Sequence, residues 1–307
     1  MTNGDAIVPE IEAVAPDDPV LPWRDVLHEG PVPGGIDEAA LRAVRAEFLA
    51  RAGWGDGVIL LDAFERRDAR LERAAREGYE LWLWFENDLY DQLQLLQVLT
   101  QLDPRVPASA TQRLIQVDHK REITGQFDIG AAERQAARRV WAAFRSRDPR
   151  VLQAIEPDGL PDVGPAIERL LEELPWTTDG LGRTERVALT AIAEGRDDPL
   201  DVFRSVQEAE VRPFMGDHWV WVAVDRMARG DHPLVVAPLP PQADITPEFA
   251  TQRYELTDAG EDVLDGRADY AELNGVDRWL GGVQIKGRDP EFRWDPDARE
   301  IVRPARR

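Results

Sequence analysis

The stretch Leu81–Val98 constrains this chain more than any other. It opens with five unbroken apolar and aromatic residues, Leu81 to Phe85, which suits a strand buried on both faces. Glu86, Asn87 and Asp88 interrupt the run. Leu89, Leu93 and Leu96 then recur at the spacing of a helix with one buried stripe. A strand, a short acidic turn and a helix in that order predict an open α/β sheet. In such sheets the turn lies at the carboxyl end of the strand, where ligands bind.

A chain of 307 residues has room for a sizeable core and two domains with a connecting segment. With 43% hydrophobic and 31% charged residues it reads as a soluble globular protein. No apolar run approaches the roughly 20 residues that span a bilayer. Met1 is not followed by the basic-then-apolar pattern of a signal peptide, so the expected compartment is the cytoplasm. The absence of cysteine excludes disulfides, thiolate metal sites and a cysteine nucleophile. Four histidines, His28, His119, His218 and His232, leave little material for a His-rich metal centre. The formal net charge of −21 repels nucleic acid and anionic membrane unless a local basic face overcomes it. Lys120 and Lys286 are the only lysines, so arginine carries nearly all the positive charge.

Along the chain, Thr2-Asn3-Gly4-Asp5 has the form of a turn after a strand, with no room for the strand itself. Gly4 suits a positive φ, and Asp5 is the expected cap of a helix bearing Ile7, Ile11 and Val14. Val20 to Pro33 reads as a short strand entering a loop dense in ionisable groups and closed by Gly30-Pro31. Ile36–Ala52 reads as a helix with Leu41, Val44 and Phe48 on one face and Asp37 near its start. Val58–Asp62 is a candidate strand, and Asp62–Arg76 has the charge alternation of a solvated helix face. Gln112–Val117 is a further strand ending at Asp118-His119; short strands between helices argue for a parallel sheet covered on both sides. Ala131–Phe144 and Val163–Leu174 read as connector helices.

From Leu181 the character changes. Arg183–Ile192, Pro199–Glu208 and a segment ending at Arg229 read as three helices. Leu234–Ala237 and Gln252–Leu256 read as strands, and Thr257 begins another helix. The tail, Trp279–Ile285 and Phe292–Val302, suggests added β structure turning at Asp295-Pro296-Asp297. The expected architecture is therefore α/β: a Rossmann-like, mostly parallel sheet domain (1–120), a helical connector (121–178) and a winged-helix-like α+β domain (179–307).

Six segments together carry a resemblance: Thr2-Asn3-Gly4-Asp5, Trp23–Pro33, Leu83–Gln94, Gly180–Glu185, Pro213–Asp217 and Asn274–Val283. With them the chain resembles an uncharacterised bacterial family of the class called domains of unknown function. The resemblance implies an α/β N-terminal domain and a winged-helix-like C-terminal domain, and it brings no settled activity. Family members usually have a strand before the Thr-Asn-Gly-Asp turn, a histidine in the slot of Asn87, and a glycine-rich loop where this chain reads Glu122-Ile123-Thr124-Gly125-Gln126-Phe127.

If the strands are parallel, one sheet edge gathers the candidate site. His28, Glu86 and Asp25 are the candidate acids and bases. Asn3, Asp5, Arg24, Glu29, Asp88, Asp91 and Gln92 are the candidate substrate-binding groups, with Arg24 suited to an anion. Oxygen donors of this kind favour Mg²⁺ or Mn²⁺ if a metal is bound. Structural roles compete: Asp88 and Asp91 have the spacing of a helix cap, Arg24 and Asp25 suit loop ion pairs, and Trp82 and Trp84 suit the core. No Walker loop, Gly-x-Ser-x-Gly elbow or His-Glu-x-x-His is present.

Two readings stand. One is a cytoplasmic enzyme or ligand-binding protein for a small anionic metabolite or nucleotide; the residues do not fix whether it catalyses a reaction. The other is a winged-helix transcriptional regulator or interaction scaffold. Asp179–Arg307 carries 17 basic against 26 acidic residues, and its third helix is mostly apolar, which suits packing better than a DNA groove. A homo-oligomer is compatible with either; membrane association is not expected.

Overall fold

The computed structural model describes residues 1–120, 122–241 and 246–304. The chain forms two compact units, one of residues 1–168 with 281–283, the other of 169–280 with 284–307. Among the described residues no helix is long and apolar enough to cross a membrane.

The first unit contains β1 (Thr2–Asn3), α1 (Val8–Val14), β2 (Pro22–Trp23), β3 (Gly30–Pro31), α2 (Glu38–Arg51), α3 (Gly57–Glu77), β4 (Trp82–Glu86), α4 (Leu89–Leu102), β5 (Gln112–Val117), β6 (Ile123–Ile129), α5 (Ala131–Phe144) and α6 (Arg150–Gln153). Its sheet has the order β2-β1-β4-β5-β6. All pairs are parallel except β5 with β6. The mostly parallel α/β architecture is thus present. β6, α5 and α6, expected in a connector, belong to this unit.

Several local expectations are corrected. Thr2-Asn3 is itself a strand, not a turn waiting for one. Its backbone is held on both sides, by Thr2 N–H to Leu21 O at 3.2 Å and by Trp84 N–H to Met1 O at 2.8 Å. Asp5 does not cap α1 with its side chain, which faces Arg24; its backbone carbonyl accepts from Val8 N–H instead. Val58–Asp62 is the start of α3, because Asp56 caps it by accepting from Val58 N–H and Ile59 N–H. Val58 and Ile59 face solvent, so their β-branching marks no strand. The Glu122–Phe127 segment, where the resemblance implied a loop, is mostly strand β6.

β4 alternates instead of being buried on both faces. Leu83 and Phe85 are fully buried, whereas Trp82 is 43% exposed with the Arg113 guanidinium 5.7 Å from its ring. The reason is the shortness of α1. Its Ile7 and Ile11 pack with Val117 and Trp84 and so cover only part of that face. By contrast α4 is buried almost all round, not along one stripe. In α2 the buried line is Leu41, Arg45 and Leu49, in place of Leu41, Val44 and Phe48.

α7 (Val163–Leu171) spans the division between the units. The second unit continues with α8 (Arg183–Ala193), α9 (Pro199–Glu208), α10 (Asp217–Met227), β7 (Val235–Val236), α11 (Pro247–Thr251), β8 (Glu255–Leu256), α12 (Asp258–Leu264), α13 (Tyr270–Asn274), β9 (Val276–Gly281), β10 (Val283–Gly287), β11 (Arg293–Asp295) and β12 (Glu300–Val302). α8, α9 and α10 pack on one another, and β7 pairs antiparallel with β8. The final hairpin turns where Asp295 accepts from the N–H groups of Asp297 and Ala298.

This unit encloses a network of charges. Arg169 binds Glu173 at 2.8 Å and Glu210 at 2.6 Å, and Thr184 Oγ1 donates to Glu173. Burial by itself would raise the Glu173 carboxyl; Arg169, Arg278 and Thr184 overcome it and hold the group down to about 2. A lowered native value stabilises the fold above the unfolded value of about 4.3, and that stabilisation fades as pH falls toward the native value. Glu173→Gln is therefore expected to lose about 3 kcal/mol at pH 7. Urea unfolding at pH 7 and pH 3 checks this, the gap between variant and wild type narrowing at the lower pH.

Candidate functional site

The sheet order reverses direction at β1: the chain steps from β1 out to β2, then returns to the other side of β1 for β4 and β5. A crevice at such a reversal, beyond the carboxyl ends of the strands, is where open α/β sheets hold ligands. The residues at those ends are Asn3 and Gly4 after β1, Arg24 and Asp25 after β2, and Glu86 to Asp88 after β4.

Asp91 is the centre of this region. Asp88 caps α4 by accepting from Asp91 N–H at 2.9 Å, which turns the Asp91 side chain back toward the strand ends. Its two carboxyl oxygens accept from Asn3 Nδ2 and from the Glu86 backbone N–H. Gln92 Nε2 donates to the Glu86 carbonyl at 2.7 Å. Asn3, Glu86, Asp88, Asp91 and Gln92 are thus brought together. Burial, then the neighbouring Asp88, pushes the Asp91 carboxyl well above the usual carboxylate range.

Arg24 and Asp5 stand beside this cluster as an exposed pair, Arg24 Nε donating to Asp5 at 2.7 Å. The hydrogen bond from Arg24 lowers the Asp5 carboxyl. Both side chains are more than half exposed, so the pair contributes little to stability.

Asp25 and His28 lie inward, in the loop after β2. Asp25 is buried and takes Arg45 in a bridge of 2.8 Å, while also accepting from Val26 N–H at 2.8 Å. Arg45 further donates to the carbonyls of Val26 and Glu29, both at 2.7 Å. Asp25 therefore shapes the loop. His28 is buried edge-on against the Tyr90 ring, with centroids 5.6 Å apart. Glu29 is half-buried, and its backbone carbonyl is the group that Arg45 binds. The loop closes at Gly30, whose φ of +77° and contact with the Phe48 ring leave no room for a side chain.

Among the described residues no group of three or more His, Asp or Glu side chains is placed to hold a metal ion. The carboxylates expected to bind Mg²⁺ or Mn²⁺ include Asp91, Asp25 and Asp5, which bond to Asn3 and the Glu86 amide, to Arg45 and to Arg24.

The residues that organise the region and that the sequence reading passed over are Arg45, Arg67, Gln94 and Gln97. Gln94 Nε2 donates to the Asp25 carbonyl at 2.6 Å, and Trp23 Nε1 donates to Gln97 Oε1 at 2.8 Å. The Arg67 guanidinium lies 3.7 Å from the Trp23 ring centroid. A signal existed: Arg45 falls in register with Leu41 and Leu49, and Arg67 with Phe64 and Leu71. An arginine inside an apolar helical stripe is buried or bound.

Asp91→Ala is expected to destabilise the first unit by about 3 kcal/mol, since it removes a fully buried side chain and leaves two part-buried donors without their acceptor. The native carboxyl holds its proton more tightly than the unfolded chain does. Its stabilising contribution is therefore full below about pH 3.9 and declines as pH rises through the native value. Chemical denaturation of wild type and variant checks this, the difference being larger near pH 4 than at pH 8. No family model, curated protein or solved structure matches this chain.

Proposed function

We propose that this chain is a cytoplasmic ligand-binding protein or enzyme for a small anionic metabolite or nucleotide, held beyond the carboxyl ends of β1, β2 and β4. The observation that carries the reading is the sheet reversal at β1, with Asn3, Glu86, Asp88, Asp91 and Gln92 gathered there and Arg24 alongside. Arg24 supplies the positive charge for the anion. Glu86, at the end of an apolar strand, is the group best placed for acid or base work. Asp91 positions both strand ends, and Asp25 and His28 shape the adjoining loop. The reading treats the first unit as Rossmann-like and takes membership of the uncharacterised bacterial family as part of the proposal.

The second unit enters this reading as a winged-helix-like packing module, in keeping with three mutually packed helices followed by an antiparallel ribbon. A transcriptional regulator is the weaker alternative. In α10 the side chains of His218, Trp219, Val220, Trp221, Ala223, Val224 and Met227 are buried, which removes most of the helix from a DNA groove.

The test is thermal denaturation with nucleotides, sugar phosphates and dicarboxylates, each with and without Mg²⁺. A bound ligand at a hundred times its Kd stabilises the fold by about 2.7 kcal/mol, a shift of several degrees. We expect at least one class to produce that shift, and Arg24→Ala and Glu86→Gln each to remove it. A panel in which no class gives a shift that both substitutions remove would overturn the reading.

A further inference from the structure

The helical side of the first unit contains a cavity with its own chemistry. It measures about 50 Å³ and is lined by Arg42, Arg45, Arg67 and Arg145 together with Thr100 and Trp141. One water needs roughly 10–15 Å³ by this measure, so the space takes a group of several heavy atoms and excludes a nucleoside.

Four guanidiniums around one small cavity are unexpected in a chain of net charge −21. Arg45 is matched by Asp25 at 2.8 Å. Arg42 and Arg67 share Asp68, at 2.9 and 2.8 Å. Arg145 donates to the carbonyls of Pro33 and Ile36, at 2.7 and 3.0 Å. Glu38, which also lines the cavity, binds Arg105 at 2.9 Å. Those five guanidiniums meet three carboxylates, Asp25, Asp68 and Glu38, and two positive charges are left in excess.

Hydrogen bonding gives a second, independent indication. Arg67 Nη1, Arg42 Nε and Thr100 Oγ1 are buried donors with no hydrogen-bond partner among the described residues. Arg67 as a whole is only 6% exposed. Buried donors in native proteins are almost always satisfied by protein, water or ligand, and a charged one is the most costly to leave unmet. Burial also pushes the guanidiniums of Arg67 and Arg145 down, so both gain from a nearby anion.

From the excess charge, the unmet donors and the size of the space, we infer that this arginine cavity binds a dianionic phosphate group. Arginine forks match phosphate oxygens in pairs, and Thr100 Oγ1 adds a neutral donor. The group is either inorganic phosphate or the phosphate of a small monoester whose remainder extends past Glu38, the most exposed carboxylate of the rim. Asp25, in the loop after β2, also lines this cavity, but Arg42, Arg45 and Arg67 come from α2 and α3, and the inference does not depend on the function proposed for the strand ends.

Isothermal titration with inorganic phosphate at pH 8, against sodium chloride of equal ionic strength, tests the inference. Phosphate should bind saturably with one site per chain and chloride should not. Thr100→Val, which keeps shape and removes the donor, should weaken phosphate about tenfold, and Arg67→Met should abolish binding. Where Arg67→Met fails to fold, Arg145→Gln takes its place with the same expected loss. Arg24→Ala and Glu86→Gln should leave phosphate binding unchanged, which separates this site from the strand ends. Phenyl phosphate binding tighter than inorganic phosphate would identify the ester as the ligand class; equal or weaker binding would identify the free ion. A phosphate response no larger than that of chloride, or one that survives both Thr100→Val and the arginine variant, overturns the inference.

Discussion

Two-residue strands cannot hold their own ends, and the first unit depends on how that shortfall is met. β1 and β2 contribute only Thr2–Asn3 and Pro22–Trp23 to the sheet. Their following loops leave backbone groups that must find partners away from water. α4 and α2 supply those partners from side chains. Asp91 joins Asn3 to the Glu86 amide, Gln94 takes the Asp25 carbonyl, Gln97 takes the Trp23 indole, and Arg45 gathers the carbonyls of Val26 and Glu29. This explains why α4 carries buried glutamines through its length. In an apolar surrounding Gln92, Gln94 and Gln97 are tolerated because each side chain makes such a bond.

The same device determines which ionisable groups remain available for chemistry. Asp25 and Asp91 look like catalytic carboxylates by residue type, yet each is bound within the protein and sets the position of a neighbour. At the strand ends Arg24 and Asp5 form an exposed pair, and Glu86, half-buried, ends β4. Positive charge is concentrated elsewhere, on the inward faces of α2 and α3, where Arg42, Arg45 and Arg67 stand in place of apolar residues. An acidic chain that buries arginines in this way creates a local field opposite in sign to its net charge.

The two units solve the burial of charge differently. In the second, Arg169 is bracketed by Glu173 and Glu210, and Thr184 completes the bonding of Glu173. Each charge there has its counter-charge, so the network fixes the packing of its helices. In the first, the guanidiniums around the cavity outnumber the carboxylates and some donors are unmet. The second network leaves Arg278 Nε unmet yet matches each guanidinium with a carboxylate, whereas around the cavity of the first unit positive charge is in excess.

Much of the fold was legible in the residues. Long periodic helices such as Ala131–Phe144 and Pro199–Glu208, the strand Gln112–Val117, the cap at Asp88 and the turn at Asp295 follow from local rules of spacing and capping. Local rules also named most of the residues at the strand ends. They failed where distant contacts decide. Thr2-Asn3 is a strand only because β2 and β4 lie on either side of it. Trp82 is exposed because α1 is too short to reach it. Asp25 is structural because Arg45, twenty residues on, is turned inward against it. The sequence by itself determined most of the long helices and the residue types that end the strands, since those depend on neighbours along the chain. Only the tertiary structure decided which charges are neutralised and which face a cavity, because that depends on pairings between elements far apart in sequence.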